Sequence, residues 1–128
     1  MSYPVTDFLI RIKNGYLAGR KSITSPSSKF RVSLAELMKR YGYISSYTVD
    51  ETANKTINVQ LSYDGKVPNF TDLKIISKPG RRLYEKASSL PWGKTSKSLI
   101  IISTSKGLMS QKEAVTKGLG GEIIAEIY

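Results

Sequence analysis

Four consecutive aliphatic residues, Leu99-Ile100-Ile101-Ile102, constrain this chain more than any other feature. A strand with one face in water alternates apolar and polar side chains. An uninterrupted run of this length is of the type seen in strands buried on both faces. Hydrophobic residues make up 40% of the 128, enough for a core in one compact domain or in two small lobes that share an interface. There is no cysteine, so packing alone holds the chain together, which agrees with a reducing compartment.

The rest of the pattern supplies both helices and strands. Val5, Phe8, Leu9, Ile12 and Tyr16 recur at the spacing of one helical face, which predicts a helix over 5–16 with Pro4 in its first turn and Gly15 and Gly19 at its exit. An extended piece at 22–25 ends at Pro26. Ser27 or Ser28 caps a second helix with apolar positions Phe30, Leu34, Leu37, Met38 and Tyr41, and Gly42 suits its C-terminal turn. Strands are predicted at 44–49 and 56–62, joined by a hairpin loop, 50–55, that contains Asn54 but no glycine. Residues 63–70 are rich in turn formers and read as a linker. Beyond it lie a strand at 72–77, a turn at Lys78-Pro79-Gly80, an extended piece at 81–84 and the buried strand at 98–103. A loop leads to a helix from Ser110, where Ser110 and Glu113 have capping-box spacing. That helix stops at Gly118, and a last strand covers 122–128. The expected fold class is α+β in two small lobes: an N-terminal α-β-α-β-β lobe (1–62) and a C-terminal lobe (71–128), mostly β with one short helix.

Charge narrows the function. The chain carries 20 Lys and Arg against 10 Asp and Glu, a net +10. Residues 1–47 hold eight basic and two acidic side chains, residues 48–76 three and four, and residues 77–128 nine and four. Two basic ends around a neutral middle suit a polyanionic partner, of which nucleic acid is the commonest for a basic domain. With no His and no Cys, imidazole and thiolate metal sites, Ser-His-Asp and Cys-His arrangements and any His general base are excluded. No apolar run reaches eighteen residues, and no basic-then-apolar stretch opens the chain. Neither a membrane-spanning helix nor a signal peptide is therefore expected.

Three segments carry the chemistry. Ser103-Thr104-Ser105-Lys106-Gly107 joins three hydroxyls, a lysine and a glycine between the buried strand and the capped helix. Hydroxyls meet base edges, ribose 2′-OH or phosphate, lysine neutralises phosphate, and glycine admits close approach. The free N–H groups of the following helix would lie nearby. The plainer alternative is an ordinary hydroxyl-rich loop. Ser103-x-x-Lys106 also matches a serine-hydrolase spacing, but neither Ser-Asp-Asn nor Lys-Thr-Gly accompanies it. In Lys78-Pro79-Gly80-Arg81-Arg82-Leu83-Tyr84, the adjacent arginines on an extended segment project to opposite sides, one toward a partner, the other toward solvent or a carboxylate. Tyr84 either stacks on a splayed base or packs half-buried in the core. In Gly118-Leu119-Gly120-Gly121-Glu122 the glycines admit close approach. Glu122 either accepts from base amino groups or pairs with Lys106, Lys112 or Lys117. In the N-terminal lobe, Arg11, Lys13, Asn14, Arg20, Lys21, Lys29 and Arg31 read as phosphate contacts of low sequence content.

Together these segments resemble one family, the bacterial-type small-subunit ribosomal protein numbered eight. The stretch from Ser103-Thr104-Ser105-Lys106-Gly107-Leu108-Met109 to Gly118-Leu119-Gly120-Gly121-Glu122-Ile123-Ile124 looks like its C-terminal signature. Lys78 to Tyr84 looks like its central turn, Asp7 with Arg11-Ile12-Lys13-Asn14-Gly15 its opening helix, and Pro26-Ser27-Ser28-Lys29 the start of its second helix. The matches keep the family's order. The chain departs from the family at Tyr3, Ile10 and Lys13, and Pro91-Trp92-Gly93-Lys94-Thr95-Ser96-Lys97 replaces a more glycine-rich stretch. The resemblance implies a non-enzymatic constituent of a cytoplasmic ribosome, with an organellar one left open. It implies no cofactor, metal or membrane, and a monomer outside the particle. Its implied partners are the central domain of small-subunit ribosomal RNA, neighbouring small-subunit proteins and, in some members, a mimic of the RNA site in their own messenger. The implied RNA-binding residues are Ser103, Thr104 and Ser105, with Tyr84 and Glu122 alongside; Lys106 and Gly107 of the same loop are candidates on their own chemistry. Arg81, Arg82, Lys112, Gly121, Lys29, Arg31 and Asn14 join them as further candidates.

Overall fold

The structure, a computed structural model, describes residues 2–52, 54–91 and 98–128. Trp92 and the rest of 92–97 lie outside the described residues. Helix α1 spans Ser2–Leu17, starting earlier than the periodicity suggested, and buries Val5, Phe8, Leu9, Ile12 and Tyr16. Gly15 is not its exit. A Cβ there would stand 2.5 Å from Ile23 Cγ2 and 3.1 Å from Leu61 Cδ1, so the glycine lets the helix lie directly on the sheet. The exit is Gly19, in the left-handed region at φ +67.

Strand β1 (Ser22–Pro26) follows, then α2 (Lys29–Arg40), whose N-cap is Ser28; its hydroxyl accepts from Arg31 N. Strands β2 (Ile44–Asp50) and β3 (Thr56–Leu61) complete an antiparallel sheet of order β1-β3-β2. Their glycine-free hairpin puts Lys55 at φ +37. Asp50 Oδ1 accepts from both the amide and the hydroxyl of Thr52, at 3.0 and 2.7 Å, so a side chain helps to organise the turn.

The 63–70 stretch that reads as a linker contains a small hairpin, β4 (Tyr63–Asp64) with β5 (Val67–Pro68), around Gly65. It leads to buried Phe70, whose ring stacks on Tyr16 with centroids 5.2 Å apart. The Tyr16 hydroxyl donates to Tyr43 O and accepts from Ser62 N. A buried hydroxyl with both functions satisfied stabilises a joint that no linker composition announces.

The second sheet holds β6 (Leu73–Ile75), β7 (Tyr84–Glu85), β8 (Leu99–Thr104), β9 (Gly107–Ser110) and β10 (Gly121–Ile127). Strand β10 lies between β8 on one side and β6 and β7 on the other, and β9 flanks β8, all antiparallel. Strand β8 is buried on both faces, as its apolar run requires. Leu99 and Ile101 join the larger core with α1, α2 and β3. Ile100 and Ile102 face a smaller core with Leu90, Met109, Ala114 and Ile123, beside the short helix α3 (Gln111–Lys117). The β8–β10 register slips at Ile124, and its carbonyl accepts from both Ile76 N and Ser77 N. This bulge breaks the two-residue alternation, which explains why every residue from Glu122 to Ile127 is buried.

The larger core therefore draws on both halves of an α+β chain. Polar contacts cross the same seam: Tyr43 Oη donates to Ile127 O at 3.1 Å, and Tyr41 Oη donates to Ser110 Oγ at 2.7 Å. Lys13 pairs with Asp72 at 3.1 Å and Arg40 with Glu113 at 2.6 Å. Among the described residues, no helix is long and apolar enough to cross a membrane.

Candidate nucleic-acid interface

Strand register assembles the site. On β10, Glu122 lies opposite Tyr84 of β7 on one side and Ser103 of β8 on the other. Directly opposed residues of antiparallel strands share a face, so Tyr84, Glu122 and Ser103 form a row across three strands. Gly121 makes this spacing work. A Cβ there would meet Ser103 O at 2.2 Å, and one on Gly120 would meet Glu85 O at 2.4 Å. What approaches these glycines in the free protein is its own backbone.

The segment 103–107 is the tip of the β8–β9 hairpin rather than a loop running into a helix. Thr104 pairs with Gly107, which adopts φ +111. The Thr104 hydroxyl donates to Gly107 O at 2.9 Å and accepts from Lys106 N at 3.1 Å. Ser105 and Lys106 are exposed at the tip, while Ser103 is partly covered. Strand β9 separates the tip from α3: Ser110, the N-cap, pairs with Ile101 three residues down the ladder from Thr104. The helix N-terminus therefore does not lie beside the hydroxyls. Ser110 Oγ is occupied by Tyr41 Oη and Glu113 N.

Tyr84 is 64% exposed and not a core residue. It lines an open depression with Glu85, Lys86 and Gly121. The adjacent arginines have different surroundings. Arg82 Nη1 stands 3.5 Å from Glu122 Oε2, whereas Arg81 is exposed and makes no ion pair among the described residues. Glu122 is only 5% exposed, and its Oε2 has no hydrogen-bond partner. Its cation is thus Arg82, and Lys117 pairs with Glu113 instead. Lys112 is exposed on α3.

The N-terminal candidates separate. Arg31 is part-covered and engaged: its guanidinium donates to Pro26 O at 2.8 Å and to Asp7 Oδ2 at 3.2 Å, tying the start of α2 to β1 and α1. Lys13 is engaged with Asp72. Asn14 is exposed in a groove with Arg11, Arg20 and Thr24. Lys29 lies on another groove, with Ser27, Ser28, Ser33 and Lys55 but also Asp50 and Glu51. Sequence reasoning missed the Asp7, Arg11 and Arg31 cluster, for which the acidic residue inside a basic helix was the available signal.

A basic α+β scaffold that displays hydroxyls, cations and an open aromatic ring has the chemistry of a nucleic-acid-binding protein. The chain belongs to the ribosomal protein S8 family, whose model matches residues 3–128. It is 39% identical to the small ribosomal subunit protein uS8 of Corynebacterium efficiens, covering 100% of this chain and 98% of that one. It is 40% identical to that of Vibrio atlanticus and 41% to that of Hydrogenovibrio crunogenus, each covering 99% of this chain and 98% of the relative.

Proposed function

We propose that this chain is a structural constituent of the small ribosomal subunit that binds the central domain of small-subunit ribosomal RNA directly and supports assembly. One observation carries the reading. The register of β7, β10 and β8 gathers Tyr84, Glu122 and Ser103 in one row, with Ser105 and Lys106 displayed at the neighbouring hairpin tip. Hydroxyls and an open aromatic ring recognise unstacked bases and 2′-OH groups, which an irregular RNA helix offers and a regular duplex hides. Lys106 and Arg81 supply salt-dependent attraction to phosphate, and Arg11 and Arg20 extend it along the N-terminal lobe, where the neutral Asn14 amide offers hydrogen bonds beside them. The reading of sequence belongs to the C-terminal lobe, residues 71–128. The shared core holds the two surfaces in fixed relation.

Hydroxyl-radical footprinting of naked small-subunit ribosomal RNA with the purified protein tests this. Protection confined to an irregular helix of the central domain is the expected pattern. Diffuse protection, or none at stoichiometric protein, contradicts direct binding there.

A further inference from the structure

We infer that Thr104 is a positioning residue of the RNA site: its hydroxyl builds the turn that presents Ser105 and Lys106, and it acts through them rather than on RNA. This rests on the proposed role of the 103–107 tip. Of the three neighbouring hydroxyls, only that of Thr104 is committed, donating to Gly107 O at 2.9 Å and accepting from Lys106 N at 3.1 Å. Those two bonds cross the tip and close it on itself. Gly107, at φ +111, supplies the backbone conformation that an L side chain resists. Among the described residues, Ser103 and Ser105 make no side-chain hydrogen bond, so their hydroxyls remain free to engage a ligand.

A hydroxyl that is spent inside the protein contributes to affinity by preorganisation. The turn is already in its binding shape, so less conformational freedom is lost on association. The serine and threonine positions of this tip, although adjacent and chemically alike, therefore have different jobs. Thr104 sets geometry, while Ser103 and Ser105 make contact.

The test combines Thr104→Val, which keeps shape and β-branching but removes the hydroxyl, with Thr104→Ser and Ser105→Ala. Two readouts are needed: affinity for the irregular central-domain hairpin, and hydrogen exchange of the Lys106 amide in the RNA-free protein. Thr104→Val is expected to weaken binding by about tenfold, the equivalent of ~1.4 kcal/mol, and to speed Lys106 exchange without RNA present. Thr104→Ser should restore most of both. Adding Ser105→Ala to Thr104→Val should cost less than the sum of the single effects, because one acts through the other. Strictly additive losses, or unchanged Lys106 exchange in Thr104→Val, overturn the inference and make Thr104 a direct contact or a bystander. If Ser105→Ala itself leaves binding intact, the failure lies with the proposed RNA site.

Discussion

Arg82 stands 3.5 Å from the buried carboxylate of Glu122, close enough for charge compensation, yet Glu122 Oε2 has no hydrogen-bond partner. A buried ion loses hydration, and removing its counter-ion leaves that cost uncompensated. Arg82 is part-exposed, so water screens part of the interaction. Arg82→Ala is expected to cost about 1–2 kcal/mol of stability, below the range for fully buried pairs. Adding Glu122→Gln should recover some of that loss by removing the charge. Urea denaturation of the two variants measures both effects. An Arg82→Ala protein as stable as the parent contradicts the pairing.

Ser105 tests whether the hairpin tip reads RNA. Its exposed hydroxyl predicts that Ser105→Ala weakens cognate binding by roughly 1–3 kcal/mol while leaving weak binding to a regular duplex nearly unchanged. Parallel titrations on both RNAs decide it. Equal losses on both would remove Ser105 from any reading role.

Arg81 and Arg82 separate by a salt titration. Arg81 is exposed and makes no ion pair among the described residues. Arg81→Ala should flatten the slope of log affinity against log salt by about 0.7–0.9, the value for one phosphate contact. An unchanged slope places Arg81 away from phosphate.

Gly121 and Gly80 make a contrasting pair. A Cβ on Gly121 collides with backbone, Ser103 O at 2.2 Å, whereas one on Gly80 meets nothing within 4 Å. Gly121→Ala should cost about 1–3 kcal/mol, the range for overpacking, and displace Ser103 in the same step. Gly80→Ala should fall within ~0.5 kcal/mol, as at unconstrained surface sites. Thermal unfolding with an RNA titration on each checks the prediction. Equal stability of the two variants contradicts the close approach of β10 to β8.

The aromatic joint predicts alkaline behaviour. Burial is the main cause raising the ionisation of both Tyr16 and Tyr43 above the ordinary value of 10.0; in Tyr43 the Glu126 charge adds to it. The folded state thus favours their neutral form. The stability they contribute is fully present below pH 10 and is lost as pH rises through the elevated folded values. Tyrosinate absorbance followed with circular dichroism should show these two groups ionising late and together with unfolding. Ionisation of every tyrosine before any loss of structure contradicts a buried joint.

Local signals carried much of this fold. The apolar faces of α1 and α2, the Ser28 and Ser110 caps and the four-residue run of β8 each state their role within a few residues. Strand β9 was hidden because Gly107-Leu108-Met109-Ser110 is too short for an alternation and abuts a helix cap. The β4–β5 hairpin was hidden because its two-residue strands sit among turn formers. Gly15 read as punctuation because the side chain that needs its space, Ile23, arrives only after folding. At the candidate site, residue types were legible but their commitments were not. Composition could not separate Thr104 from Ser105, or the engaged Arg31 from the exposed Arg81, since hydrogen-bond partners are tertiary facts.

The central claim is that a shaped site, and not charge alone, selects the RNA. A competition titration at fixed, near-physiological salt tests it most directly, with a labelled hairpin carrying the irregular central-domain helix and, as competitors, an unlabelled copy and a regular duplex of equal length. Preference for the irregular RNA by about a hundredfold or more, ~2.7 kcal/mol, is the predicted result. Equal competition by the two would mean that the net charge of +10 drives binding and that the row of Tyr84, Glu122 and Ser103 reads nothing.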